Sequence, residues 1–326
     1  MTTTFALMAV YIVLLYMATD YFRRNYRVSL WFWAAAIGTF PIWIVTGQVE
    51  GWFRWVKTLT VLSTIIVLGL MRVSMMEKRP GRFWEFLRSP KWMWFLYGVL
   101  SVNILEAALK DLETGNVWNF LTGVLLCVTI PFAPKFMGIS DDGRADLIAY
   151  TTGAWNFLYT TWNLNFTYGE AGPHFAGSLC ILLAAELYPL VKRQPELYYM
   201  ARAYTLAIHL FIRANWDFFP AYMSSAGWFR QDVWLNWGLI NFLLMIPYLF
   251  WYTWQLHTGR ADVTFRRGRA RSEFLENHPE FAVEPRTAGL GQVDHFPLGS
   301  LVLPDNPRKV FDVPEPGIPR ENLLDR

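Results

Sequence analysis

The feature that most constrains this chain is a run of about 20 mainly apolar residues that recurs between residues 4 and 256. A helix rises 1.5 Å per residue and the hydrocarbon core of a bilayer is about 30 Å thick, so each run matches one membrane crossing. Nine blocks are read, at 4–21, 28–47, 52–73, 92–109, 117–134, 146–167, 174–191, 198–217 and 232–256. Only 17% of the residues are charged, against about 25% in soluble domains. With 17 Trp and 25 Phe, most of the chain is also far from a disordered composition. The expected fold class is all-α: a polytopic transmembrane helical bundle over 1–256, followed by a tail over 257–326.

Charge along the chain gives the orientation. With the N-terminus outside, the inner loops before the tail carry thirteen basic residues, Arg23, Arg72 and Arg88 among them, and the outer side three: Arg54, Lys110 and Arg230. That asymmetry follows the positive-inside rule and predicts nine spans, N-out and C-in. In a bacterial cell this is a multi-pass protein of the inner (cytoplasmic) membrane. The first block has neither a basic leader nor a small-residue cleavage site and is expected to remain as a helix. Trp52, Trp55, Trp251 and Trp254 stand at block ends, where amphipathic rings form an interfacial belt. Membrane lipids are therefore the first expected partners.

Two inner segments stand apart. Residues 72–91 mix six basic side chains with Phe83, Trp84, Phe86 and Leu87, the pattern of an interfacial amphipathic helix. Residues 257–326 hold 8 of the 18 prolines and no periodic apolar pattern, so they are expected to be extended or disordered. They could lie along the bundle, a protein partner or a second copy, with FPLGSLVLP (296–304) as the anchor. Arg266, Arg267, Arg269 and Arg271 are expected at the anionic headgroups, where each contributes about 1 kcal/mol.

A charge inside a span costs at least about 2.5–3.5 kcal/mol, so each one needs a partner or a role. Arg202, His209 and Arg213 are seven and four residues apart, within about 40° of one another on a helix, and Asp217 continues the stripe. Arg202 reads as snorkelling to the inner interface. Asn103 and Glu106 share a face of the fourth block; Asn156, Tyr159 and Asn163 share one of the sixth; Lys57 and Asn241 add two more helices. Counted from the predicted orientation, Lys57, Asn103, Glu106, Asn156, Asn163, His209, Arg213 and Asn241 lie between mid-membrane and the outer surface, which predicts one outward-biased polar cavity. The competing reading is interhelical glue, in which such hydrogen bonds average about 0.6 kcal/mol.

Standard chemistry is missing from the sequence. It has no HExxH, GxSxG or GxxxxGK[ST] run, and nothing predicts a metal site. Cys127 and Cys180 sit in apolar blocks and read as small buried hydrophobes. The basic loops are explained by topology and give no case for nucleic acid. No cofactor is indicated.

The runs VNILEAALKDL (102–112), GAWNFLYTTWN (153–163) and ARAYTLAIHLF (201–211) resemble segments of an uncharacterised bacterial multi-pass membrane family, a domain of unknown function. The resemblance covers roughly residues 50–255. It implies a membrane bundle with these polar segments and assigns no activity.

Three functions stay open on the residues. The leading one is binding or translocation of an ion or small polar solute in proton- or ion-coupled transport. Here Glu106 titrates, His209 is its proton partner, Arg213 anchors an anionic group, and Asn156 and Asn163 orient the ligand. The second is an accessory subunit of a larger membrane complex, held through the tail. The third is an embedded enzyme acting on a lipid or amphiphile, with Glu106 and His209 as acid and base.

Overall fold

The computed structural model describes residues 2–257 except 48, 50, 90, 131–136, 141–142, 150 and 217. The expectations for Asp217, for the tail and for Arg266, Arg267, Arg269 and Arg271 therefore lie outside the described residues.

Each apolar block yields helix, because apolar backbone away from water must satisfy its own N–H and C=O groups. The first block is α1 (Thr2–Arg24). The second divides into α2 (Tyr26–Ile37) and α3 (Phe40–Thr46). The break has a local cause: the Thr39 hydroxyl turns back to the Ala36 carbonyl (2.7 Å) and accepts the Trp43 indole N–H (2.9 Å). Pro41 then opens α3, where its missing N–H costs nothing. Next come α4 (Gly51–Glu77), α5 (Arg82–Arg88), α6 (Trp92–Thr114) and α7 (Val117–Val128).

Between α7 and α8 the expected helices give way to something else. The fifth block was expected to run to 134, but α7 ends at Val128. The sixth was expected from 146, yet residues Leu147–Ala149 form strand β2, paired antiparallel with β1 (Met137–Ile139). The two strands are three residues each, and the connection between them, residues 140–146, is seven residues long. Helix α8 (Gly153–Glu170) starts only after Thr152, whose hydroxyl caps the Trp155 amide at 3.0 Å. The chain continues through α9 (Phe175–Lys192), α10 (Tyr198–Asn215), the short α11 (Phe218–Tyr222) and α12 (Gln231–His257).

Six helical stretches among the described residues are long and apolar enough to cross a membrane: α1, α2 with α3, α4, α6, α9 and α12. That is fewer than the nine expected, and the packing gives the reason. Helix α8 is enclosed by α7, α9 and α12, and α10 by α1, α4 and α9. An interior helix meets protein on most sides and does not need a lipid-compatible surface, so both are more polar than the rest. Helix α7, at twelve residues, is simply short. The outer helices carry the apolar exposure, with Val13, Leu14 and Met17 on α1 and Ile240, Leu243 and Phe250 on α12.

The segment 72–91 is part α4 and part α5. Helix α5 is tied back by Ser74 Oγ donating to the Trp84 carbonyl (2.7 Å), and Arg79 sits 4.9 Å over the Trp84 ring. Leu87 points into the bundle while Phe83 and Phe86 face outward, as an interfacial helix requires.

Candidate functional site

Two polar knots hold the bundle together, and neither was expected as a unit. The first lies at the hairpin end. Arg72, fully buried at the end of α4, donates from Nε to the Ala145 carbonyl (3.1 Å) and from Nη1 to the Phe22 carbonyl (3.0 Å) and the Tyr204 hydroxyl (2.8 Å). Its Nη2 donates to the carbonyls of Arg144 (2.9 Å) and Arg23. A guanidinium has five N–H donors, and all five are used. Beside it the buried Arg23 pairs with Asp146 at 2.7 Å and donates to Gln194 Oε1 at 3.3 Å and the Tyr188 hydroxyl at 3.4 Å. Tyr188 donates on to Asp20, which also pairs with Arg24 and Lys192. Ala145 is held at φ +48°, a left-handed conformation costing about 1–2 kcal/mol without glycine, and its carbonyl is one of those Arg72 holds.

Arg23 and Arg72 were expected only as positive-inside charges. Nothing in a sequence separates an arginine that faces headgroups from one that folds back on helix-end carbonyls. Arg202, expected to snorkel, is likewise buried, because α10 sits inside the bundle.

The second knot joins α6, α7, α8 and α12. Asn119 Nδ2 donates to Asp111 (2.6 Å), Asn241 Nδ2 donates to Asn119 Oδ1 (3.1 Å), and Thr161 donates to Asn241 Oδ1 (3.0 Å). Asn116 caps α7 by accepting the Asn119 amide and donates to Asn165 Oδ1 at 2.9 Å. A Cβ on Gly238 would stand 2.3 Å from Asn116 Oδ1, so glycine is what lets α12 approach. Asn241 thus serves as interhelical glue. The Gly115-Asn116 pair, a left-handed C-cap followed by an N-cap, is a sequence signal that the reading above did not use, and no such signal marks the contacts of Asn116 across helices.

The other predicted residues separate. Asn103 returns its amide to Val99 of its own helix (2.7 Å). Helix α8 begins at Gly153, so Asn156 stands in its first turn and donates to the Pro195 carbonyl (2.9 Å). Asn163 donates to the Tyr159 hydroxyl at 3.5 Å, and Tyr159 packs edge-on against Tyr198. His209 is enclosed by Tyr11, Phe219 and Gly177: its Nδ1 is 3.3 Å from the Tyr11 hydroxyl, its ring centre is 4.3 Å from that of Phe219, and its buried Nε2 has no partner.

What remains is a group of charges between α4, α6 and α10. Lys57 lies within electrostatic reach of Glu106 and Arg202, and His209 within reach of Arg202 and Arg213. Glu106 Oε1 is buried without a hydrogen-bond partner, as are Nε and Nη1 of Arg202. Below Arg202, the Tyr198 hydroxyl is 2.6 Å from Thr160 Oγ1, which donates to Glu186 (2.8 Å). This group is the candidate site. Two cavities lie elsewhere: an apolar groove of about 530 Å³ along Phe157, Leu158, Leu244 and Trp251, and one of about 250 Å³ around Tyr168 and Trp228.

Comparison with family models, curated proteins and solved structures gives no match. The fold and the site therefore rest on this chain's own residues. They describe a Trp-rich helical bundle whose apolar helices fit a membrane protein in contact with lipid. Among the described residues, no three His, Cys, Asp or Glu side chains gather as metal ligands.

Proposed function

We propose that this chain binds an ion or small polar solute inside its bundle, at Lys57, Glu106 and Arg202, and carries it across the membrane in a proton- or ion-coupled cycle. The observation that supports the reading is Arg202, an interior guanidinium with donors unmet in a protein that satisfies every donor of Arg72. Charge inside a membrane helix bundle is costly and marks substrate or ion pathways. Relative to the sequence expectation, the anchoring role moves from Arg213 to Arg202, while Glu106 keeps its role as the titrating carboxylate.

The enzyme alternative needs Glu106 and His209 as one pair, whereas His209 meets Tyr11 and Phe219. The complex-subunit alternative depends on residues 257–326. On the three sequence runs alone, we also propose kinship with the uncharacterised bacterial multi-pass family and placement in a bacterial inner membrane.

The test is charge movement in proteoliposomes on a solid-supported membrane, probed with pulses of acid, sodium, potassium and inorganic anions. Wild type should give saturable currents with at least one pulse, and Glu106→Gln should lose them. Equal currents from wild type, Glu106→Gln and empty liposomes would remove the proposal.

A further inference from the structure

A second ligand site, independent of the one just proposed, lies in the groove of about 530 Å³ between α8 and α12. The two helices run antiparallel there, since Thr152 bonds Tyr248 and Thr161 bonds Asn241. That register puts Phe157, Leu158 and Leu244 on one side of the Thr152–Tyr248 contact and Trp251 on the other. The apolar side opens outward, where Phe157 is 54% and Leu244 44% exposed. No charged side chain among the described residues lines the groove.

At the Thr152–Tyr248 contact the wall offers hydrogen-bond donors. Gly153 and Ala154, the first two residues of α8, both line the groove. Their N–H groups precede the first helical bond, from Asn156 to the Thr152 carbonyl (3.0 Å), and meet no acceptor among the described residues. Thr152 does not serve them, because its hydroxyl accepts the Trp155 amide and donates to the Tyr248 oxygen at 3.3 Å. Tyr248 is only 7% exposed, and its own proton is left without an acceptor.

Two free amides at a helix N-terminus, where the dipole favours negative charge, and a buried phenol together call for the oxygens of an anion. A peptide in the groove would bring its own N–H groups into an apolar slot with nothing to receive them. A phosphate would find no arginine or lysine on the wall. The volume suits a single small ligand, for which sites span about 300–1,000 Å³, so a two-chain lipid would leave one chain outside. We infer that the groove holds one long-chain carboxylate, a fatty acid anion. Its head meets the amides of Gly153 and Ala154 and the Tyr248 hydroxyl, and its chain lies along Phe157, Leu158 and Leu244.

Photolabelling of the protein in phosphatidylcholine nanodiscs tests this, using palmitate with a diazirine in its chain at alkaline pH, where the head is ionised. Labelled peptides should map to 153–158 and 244–251. Unlabelled palmitate should compete about tenfold better than hexadecanol, the effect expected of one hydrogen bond to a charged group. Gly153→Pro deletes one donor where proline fits. It is the first helical residue, Thr152 before it is extended (ψ 158°), and a Cβ there meets nothing within 4 Å. The variant should weaken palmitate about tenfold without lowering the thermal unfolding temperature. Tyr248→Phe should weaken it likewise and serves if the proline variant does not fold. Equal competition by hexadecanol, unchanged binding in both variants, or unsaturable labelling spread over the outer helices would overturn the inference. Groove labelling by a diazirine phosphatidylcholine that palmitate fails to displace would overturn it in favour of bulk lipid.

Discussion

Arg72 on α4 and Arg202 on α10 are both buried, on helices that pack against each other, yet their surroundings differ in one physical respect. Arg72 stands where chain is irregular. The last turn of α1 leaves the Phe22 and Arg23 carbonyls without helical partners, and the hairpin offers those of Arg144 and Ala145. Arg202 stands among helix walls, where backbone acceptors are already spent. A buried arginine at an end of the bundle can be a structural tie made from loose backbone. One in its interior depends on side chains or on a ligand. This contrast, more than the count of polar groups, separates scaffold from candidate site.

The largest effect should come from Arg72→Met. It strands four buried carbonyls and frees the hairpin, and breaking such buried charged networks costs about 3–5 kcal/mol. Thermal unfolding in nanodiscs and proteolysis near residues 137–149 should both report it. An unfolding temperature like that of wild type would dissolve the contrast.

Asp146→Asn should follow closely, because it leaves the buried Arg23 with only neutral partners in Gln194 and Tyr188. A double-mutant cycle with Arg23→Met sharpens the point. Coupling of about 1–3 kcal/mol is expected for residues in one network, and additive losses would mean the pair is not a unit.

Asn119→Ala should cost about 1–2 kcal/mol, near the upper end for interhelical hydrogen bonds in membrane proteins, since it cuts the links to Asp111 and Asn241 together. Denaturant unfolding of the single variant and of Asn119→Ala with Asn241→Ala would check it. The pair should lose little more than Asn119→Ala alone.

The smallest effect is the most telling. Arg202→Met should leave stability within about 1 kcal/mol of wild type, or raise it, because replacing poorly compensated buried charge with an apolar side chain is often neutral or stabilising. A loss as large as that of Arg72→Met would make Arg202 another structural tie and remove the reason to look for a ligand there.

Much of the frame could be read from residues alone. The apolar blocks predicted where α1, α4, α6, α9 and α12 run, and the aromatic-basic stretch after α4 contains the outward-facing α5. The misreadings have one origin. The hairpin was hidden because two short apolar runs on either side of Asp142-Gly143 resemble the ends of neighbouring spans. As a consequence α8, which carries Asn156, starts at Gly153 and not at 146.

The candidate site was legible only in its membership. Lys57, Glu106, Arg202 and His209 could be named because a charge in an apolar run stands out. Which of them meet could not be read, since hydrogen-bond partners here lie far apart in sequence: Arg72 and Tyr204 are 132 residues apart, and Tyr11 and His209 are 198 apart. By itself the sequence determined helices and their apolar faces, because backbone satisfaction and apolar burial are settled within about 20 residues. Tertiary structure alone decided which buried charges are satisfied, because that depends on whether a donor meets the frayed end of another helix or the closed wall of one.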